Sequence, residues 1–291
     1  MEFKELKREI SSCANQGFVA ASDHLERIIF GLGKGGVEAL LTEIGTIPEE
    51  VGHDTTEEKL YAKASDIVFA RALKEMNLEV EILRKRADCA DIVAQSRYHG
   101  YSLVGDAKAF RLSRTAKNAK DFKVASMEHW RGDSDFSVLV CPYYHYPQSR
   151  SQIYKDALEK RVTLFSWEYL YIFLKEGVKE TEQNSLMELW NAGAAIAAQS
   201  SLLGAKTNFL PQQNQIVARA IGVSDGEFDG YLAGIKEIIA RRGDEEIRYY
   251  EREIERIRGL GREEAISELL ASKKLDSRVD TIRNFIGQMR A

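Results

Sequence analysis

Residues 90–108, ADIVAQSRYHGYSLVGDAK, hold two β-rich runs, 90–96 and 101–108, around a short turn-forming RYHG, the pattern of an antiparallel hairpin. With the turn centred between Tyr98 and His99, Asp91 falls directly across from Asp106. Opposed side chains on one face of such a pair lie roughly 5 Å apart. Two carboxylates at that distance repel, so the arrangement holds only if one is protonated or a cation sits between them. Side chains alternate along a strand, so Lys108 shares the face of Asp106, while Ala107 points away and leaves its backbone carbonyl as a further ligand. These hard oxygen donors suit Mg²⁺, which takes carboxylates, waters and a substrate phosphate, and the lysine can orient a water or offset charge on phosphorus. The plainer alternative is a surface hairpin carrying two unrelated acids.

A basic side chain then recurs at every third position: Lys108, Arg111, Arg114, Lys117, Lys120 and Lys123. Steps of three drift about 60° each around an α-helix, so these bases cannot form one straight helical stripe. A path of bases leading from a metal site is what a phosphodiester backbone would contact. Arg111, Ser113, Arg114, Lys117, Asn118 and Lys120 are the candidates for nucleic-acid contact, with a solvated basic face as the alternative. Asp121 and Lys123 repeat the acid-x-lysine spacing and offer a second catalytic register. In a helix those two side chains point about 200° apart and cannot share one metal, so the first register is preferred.

Outward from this stretch, TTEEKLYAKASDIVFARALKEMN (55–77) predicts a helix, opened by a capping box of Thr55 and Glu58. EVEILR (79–84) reads as a strand, KNAKDFKVASMEHW as a helix, SVLVCP (137–142) as a strand, SQIYKDALEKR as a helix and VTLFS (162–166) as a strand. Strand and helix thus alternate onto one sheet. Residues 2–44 and nearly everything beyond Ser166 read as helical. In DEEIRYYEREIERIRG the Glu and Arg spacing signals a solvated or helix-packing face. GLGKGG (31–36) matches GxGxxG but follows a helical pattern, and is read as an inter-helix turn.

The 291 residues suit one α/β core with an appendage, divided here as 1–222, the core with its N-terminal helices, and 223–291, a helical C-terminal region. A net charge of -4 argues against general polyanion affinity, so any nucleic-acid binding must rest on the local basic stretch. Three widely spaced cysteines without a CxxC read as buried free thiols of a reducing, cytoplasmic protein. Five histidines fall at no ligand-like spacing, and no apolar run is long enough to span a membrane.

GDAKAFRLSRTAKNAKDFKV, with SQIYKDAL, LFSWEYL and the upstream TTEEKLYAKASDIVFARA, resembles the HindIII family of type II restriction endonucleases. The likeness is strongest over residues 45–175. It implies a PD-(D/E)xK fold, a mixed sheet flanked by helices with a helical C-terminal extension. It implies a homodimer that cuts both strands of double-stranded DNA in a Mg²⁺-dependent reaction at a palindrome, A/AGCTT, leaving 5′-phosphates. A cognate DNA methyltransferase would be its functional partner. On the family motif Asp91 is the first acid, Asp106 the second and Lys108 the lysine, with Glu58 a candidate accessory acid. Ala90 stands where the motif has proline, and Arg84 where the family carries a glutamate. The competing readings are a sequence-specific DNA-binding protein that has lost catalysis, and a helical protein whose basic stretch meets an acidic partner.

Overall fold

The computed structural model describes residues 1–84, 89–114, 119–147, 152–199, 205–274 and 278–283. The chain divides into two compact units, Met1–Arg242 and Gly243–Ala291. Helices α1 (Phe3–Cys13), α2 (Phe18–Phe30), α3 (Lys34–Leu41) and α4 (Thr56–Glu75) come first, then strands β1 (Glu79–Ile82), β2 (Ile92–Gln95) and β3 (Ser102–Ala107). Helix α5 (Val124–Arg131), β4 (Phe136–Cys141), α6 (Gln152–Lys160) and β5 (Val162–Ser166) complete the alternating part. Helices α7 (Trp167–Glu176), α8 (Met187–Trp190), α9 (Ala192–Gln199), α10 (Ala205–Ile221), α11 (Asp225–Arg258) and α12 (Arg262–Ser272) follow. This is the α/β architecture anticipated above, a mixed sheet flanked by helices with a helical C-terminal region.

The sheet order is β1-β2-β3-β4-β5. β1, β2 and β3 form an antiparallel meander, and β4 and β5 join it in parallel. The parallel pairs need crossovers, which α5 and α6 supply. Side-chain alternation sorts two apolar clusters onto the two faces. Leu103, Val138, Val140 and Phe165 pack with α4 and α7, while Val104, Leu139, Cys141 and Leu164 belong to the cluster that includes α5 and α6.

Helix α4 fits its place because apolar residues run almost continuously from Ala64 to Leu73, as a helix covered by both α2 and the sheet requires. Its start differs from a true capping box. Thr55 accepts the Glu58 N–H at 3.1 Å, but Glu58 reaches the N–H of Asp54 at 2.8 Å rather than that of Thr55. Asp54 has a positive φ of 61°, which turns its N–H toward the helix. GLGKGG is the turn between α2 and α3, with Gly31 closing one helix and Gly33 opening the next. Cys13 and Cys141 are buried free thiols and Cys89 is half-buried. Among the described residues no helix is long and apolar enough to cross a membrane.

Gly105 sets how closely α4 approaches the central strand. A Cβ there would lie 2.5 Å from the Phe69 ring and 2.9 Å from Ile92. Gly105→Ala is therefore expected to cost about 3 kcal/mol by overpacking, read as a lower denaturation midpoint. An unchanged midpoint would show that the helix can retreat freely.

Candidate active site

The β2–β3 hairpin has the register read from its sequence. Ile92 pairs with Gly105, Val93 with Val104, Ala94 with Leu103 and Gln95 with Ser102. One step further, the Asp91 N–H donates to the Gly105 carbonyl at 3.0 Å, and Asp91 Oδ2 accepts the Ala107 N–H at 3.2 Å. The charge of Asp91 acts on the Asp106 carboxyl. Lys108 lies on the same face and its ammonium forms an ion pair with Asp106 Oδ2. The hairpin thus gathers two acids and an amine at the C-terminal end of the central strand.

Two contacts hold the Lys108 backbone. Its N–H donates to Val140 at 2.8 Å, and its carbonyl accepts from Trp167 Nε1, on the first turn of α7, at 2.9 Å. The Ala107 carbonyl, anticipated as free, takes a long contact of 3.4 Å from Lys108 Nζ.

Electrostatics follow from this crowding. Burial pushes the Asp106 carboxyl up, Lys108 offsets part of the effect and Asp91 adds to it, so its pKa reaches about 7. Burial works against the Lys108 ammonium, but Asp106 and Asp91 outweigh it and raise its pKa above the usual lysine value. Lys108 is accordingly a cation at neutral pH, able to donate hydrogen bonds and not to accept a proton.

Asp66, on α4, belongs to the same electrostatic group and was not singled out from the sequence. Burial, and next the charge of Asp91, hold its carboxyl well above the ordinary value, with Lys63 opposing and Asp106 adding. Lys63 Nζ lies 3.7 Å from Asp66 Oδ2. The available signal was a single acid inside the apolar run Ala64–Ala70, since a buried helix rarely keeps a carboxylate without a partner.

Glu58, the accessory acid suggested above, lies elsewhere. It precedes Asp66 by eight residues, about 12 Å along the helix axis. Burial works upward on its carboxyl, but the Asp54 N–H and Arg111 win and hold it below the usual range. Arg111 in turn is buried, donating to the Pro48 carbonyl at 2.6 Å and to Glu58 Oε1 at 2.7 Å. Two of its N–H groups are thus engaged inside the protein, which argues against a DNA contact from Arg111. Arg111→Ala is expected to lower unfolding stability by about 2 kcal/mol, the worth of hydrogen bonds to charged groups, with little change in the salt dependence of DNA binding. A strong loss of binding at unchanged stability would reverse that assignment.

The rest of the basic path is mixed. Ser113, though exposed, bonds Glu49 through both its N–H and its hydroxyl, each at 2.8 Å. Arg114 pairs with Asp121 at 2.8 Å and lies over the Phe110 ring, and its side chain is 44% exposed. Lys120 is exposed. Lys117 and Asn118 lie outside the described residues. The second register is not assembled, because Asp121 faces Arg114 while Lys123, with a positive φ of 48°, lies over Trp130.

A groove of about 220 Å³ opens beside Asp91, walled by Lys63, Leu83, Arg84, Cys89 and Ala90. Arg84 is tied to Asp23 at 3.0 Å and Glu26 at 3.3 Å, a surface bridge to α2.

Among the described residues, no group of three or more His, Cys, Asp or Glu side chains is set as a metal cage. What is present is a carboxylate pair in which the buried Asp106 Oδ2, beyond its ion pair, makes no hydrogen bond. An all-oxygen pair of carboxylates fits a hard divalent cation completed by water and phosphate, and not a soft thiolate or imidazole site.

Comparison with known proteins adds two findings. The sequence model of the family described as HindIII restriction endonuclease matches residues 4–286. The Type II restriction enzyme HindIII of Haemophilus influenzae is 38% identical over 277 residues, covering 95% of this chain and 92% of that protein.

Proposed function

The chain belongs to the HindIII restriction endonuclease family and is a type II site-specific deoxyribonuclease, and on that premise we propose that Asp91, Asp106 and Lys108 form its hydrolytic centre. The observation that carries this reading is the hairpin register, which joins two acids otherwise remote in sequence beside one amine.

In the proposed reaction a water oxygen attacks the scissile phosphorus in line. The bond from phosphorus to the 3′-oxygen breaks, leaving a 5′-phosphate and a 3′-hydroxyl. Asp91 and Asp106, with the Ala107 carbonyl, would hold Mg²⁺, which supplies Lewis-acid stabilisation of the phosphoryl charge. Lys108, a cation held by both carboxylates, orients the water and offsets the negative charge that gathers on phosphorus. Asp66, an acid from the upstream helix that lies within the fields of Asp91 and Asp106, takes the accessory part first suggested for Glu58. Trp167 and Val140 position Lys108 through its backbone.

The DNA path leads away from this centre over Ser113, Arg114 and Lys120, with Lys117 and Asn118 between them in sequence. Phosphate contact is the proposed role of the lysines, whereas Arg114, held by Asp121 and Phe110, is suited to a fixed contact in a groove. The duplex has two scissile strands and each chain one centre, so two copies act together on a palindrome, proposed as A/AGCTT. A cognate methyltransferase would protect the host's own copies of that site.

Plasmid DNA incubated with the protein and Mg²⁺ should give discrete fragments, and none after EDTA. Sequenced fragment ends should carry 5′-phosphates within one repeated hexamer. A gel shift with no fragments would instead favour the binding protein without catalysis. Neither a shift nor fragments would leave the helical interaction protein.

A further inference from the structure

The groove of about 220 Å³ beside Asp91 shares that acid with the hydrolytic centre and shares no residue with the basic run 108–123. Its charged lining is Asp23, Glu26, Lys63, Arg84 and Asp91. Asp23 and Glu26 would repel an anion, but Arg84 is paired with both, at 3.0 and 3.3 Å. Lys63 is placed differently. It stands on α4 one turn before Asp66, and Asp66 lies in the fields of Asp91, Lys63, Asp106 and Lys108. Lys63 Nζ is 3.7 Å from Asp66 Oδ2, an ion pair too long for a hydrogen bond, so this contact consumes none of the three ammonium N–H donors. Only 17% of the Lys63 side chain is exposed, which holds a flexible chain in place before a ligand arrives. Phe18, Leu83 and Ala90 give the groove apolar walls that suit the carbon face of a deoxyribose.

We propose that Lys63 grips the phosphate adjacent to the scissile one, on the side of the cut that the basic run does not attend, and so fixes the scissile phosphorus at Asp91 and Asp106. This contact presupposes the nuclease reading above and adds a substrate-binding residue to it. A strand with one phosphate at the two acids must continue on both sides of them. The basic run accounts for one side, and the groove adjoins the same acids without belonging to that run. Lys108 serves the phosphate being cut, and Lys63, from a different element, serves its neighbour as a charge-assisted donor. A lysine whose one task was to neutralise Asp66 would close to hydrogen-bond distance and stay out of the groove. Lys63 does neither.

Oligonucleotide duplexes carrying the hexamer read from the fragment ends test the contact, each with an uncharged methylphosphonate in place of the phosphate immediately 5′ or immediately 3′ to the scissile one. On the all-phosphate duplex Lys63→Gln, which keeps a donor toward Asp66, is expected to lose about tenfold or more in kcat/KM, and Lys63→Arg to keep most of the wild-type value. For the wild type, one of the two methylphosphonates should cost a similar factor. At that position it should cost Lys63→Gln nothing further, because the charge pair is already gone. An unchanged Lys63→Gln, or methylphosphonate losses equal in variant and wild type at both positions, overturns the contact and leaves the nuclease reading intact. That reading fails separately, if the wild type does not cut the all-phosphate duplex with Mg²⁺. Should Lys63→Gln not fold, the wild type decides: slower cleavage with a neutral flanking phosphate supports the contact, and equal rates on the three duplexes overturn it.

Discussion

Asp106→Ala is expected to cut plasmid cleavage on the order of 10⁴-fold, a loss typical of removing an essential catalytic group, while gel-shift affinity for DNA stays near that of the wild type. The reason is positional. Asp106 is buried at the end of the central strand, pairs with Lys108, feels the charge of Asp91, and lies at the start of the basic path rather than along it. The same residue links activity to pH. Its carboxyl has a folded pKa of about 7 against an ordinary 3.8. A raised carboxyl pKa means that the folded state binds the proton more tightly than the unfolded chain. Stability from this group is thus present at low pH and lost as pH climbs from about 4 toward 7. Asp106→Asn should flatten that decline and match or exceed wild-type stability at pH 8, while remaining inactive. Denaturation midpoints across pH, measured beside cleavage rates, check both parts. Substantial cleavage by Asp106→Ala would remove the hydrolytic assignment.

Glu180→Ala is expected to be the most destabilising single change, about 5 kcal/mol, from summing the cost of three buried donors left without an acceptor. Glu180 is fully buried. Its carboxylate accepts from the Ser96 hydroxyl, from the Tyr101 hydroxyl at 2.7 Å and from the Leu186 N–H at 2.7 Å. Tyr101 also accepts from Trp190 Nε1 at 2.9 Å, so one carboxylate organises a small polar core. Ser96 and Tyr101 flank the turn of the β2–β3 hairpin and pair with each other, the Ser96 N–H donating to Tyr101 at 2.9 Å. Glu180 therefore clamps the turn that sets the register at the opposite end, where Asp91 meets Asp106. A one-residue slip would send Asp91 to the other face of the sheet. The variant should lose roughly 10–20 °C in melting temperature and should lose cleavage well below its melting point. A melting temperature within a few degrees of the wild type would show that the turn holds its register unaided.

The hairpin itself was legible in the sequence because its cause is local. Alternating side chains, a short polar turn with Gly100, and symmetry about Tyr98 and His99 leave little freedom in pairing, and the observed register is the one those features dictate. The alternation of strands with α5 and α6, and the GLGKGG turn, were readable for the same reason. Side-chain partners across the fold were not. Arg111 and Arg114 look alike in a basic run, yet one is buried against Glu58 and Pro48 while the other stays half-exposed on Phe110. Glu58 and Asp66 lie on one helix, and only the packing of α4 against the sheet determines which acid comes near Asp91. Glu180 follows Tyr101 by 79 residues, and nothing in its neighbours marks it as the acceptor for that hydroxyl. Pairing within a hairpin depends on residues a few positions apart, so sequence alone determined the carboxylate pair. Burial and charge partnership depend on surfaces that meet only when the whole chain has packed, so tertiary structure decided which of the remaining acids and bases attend it.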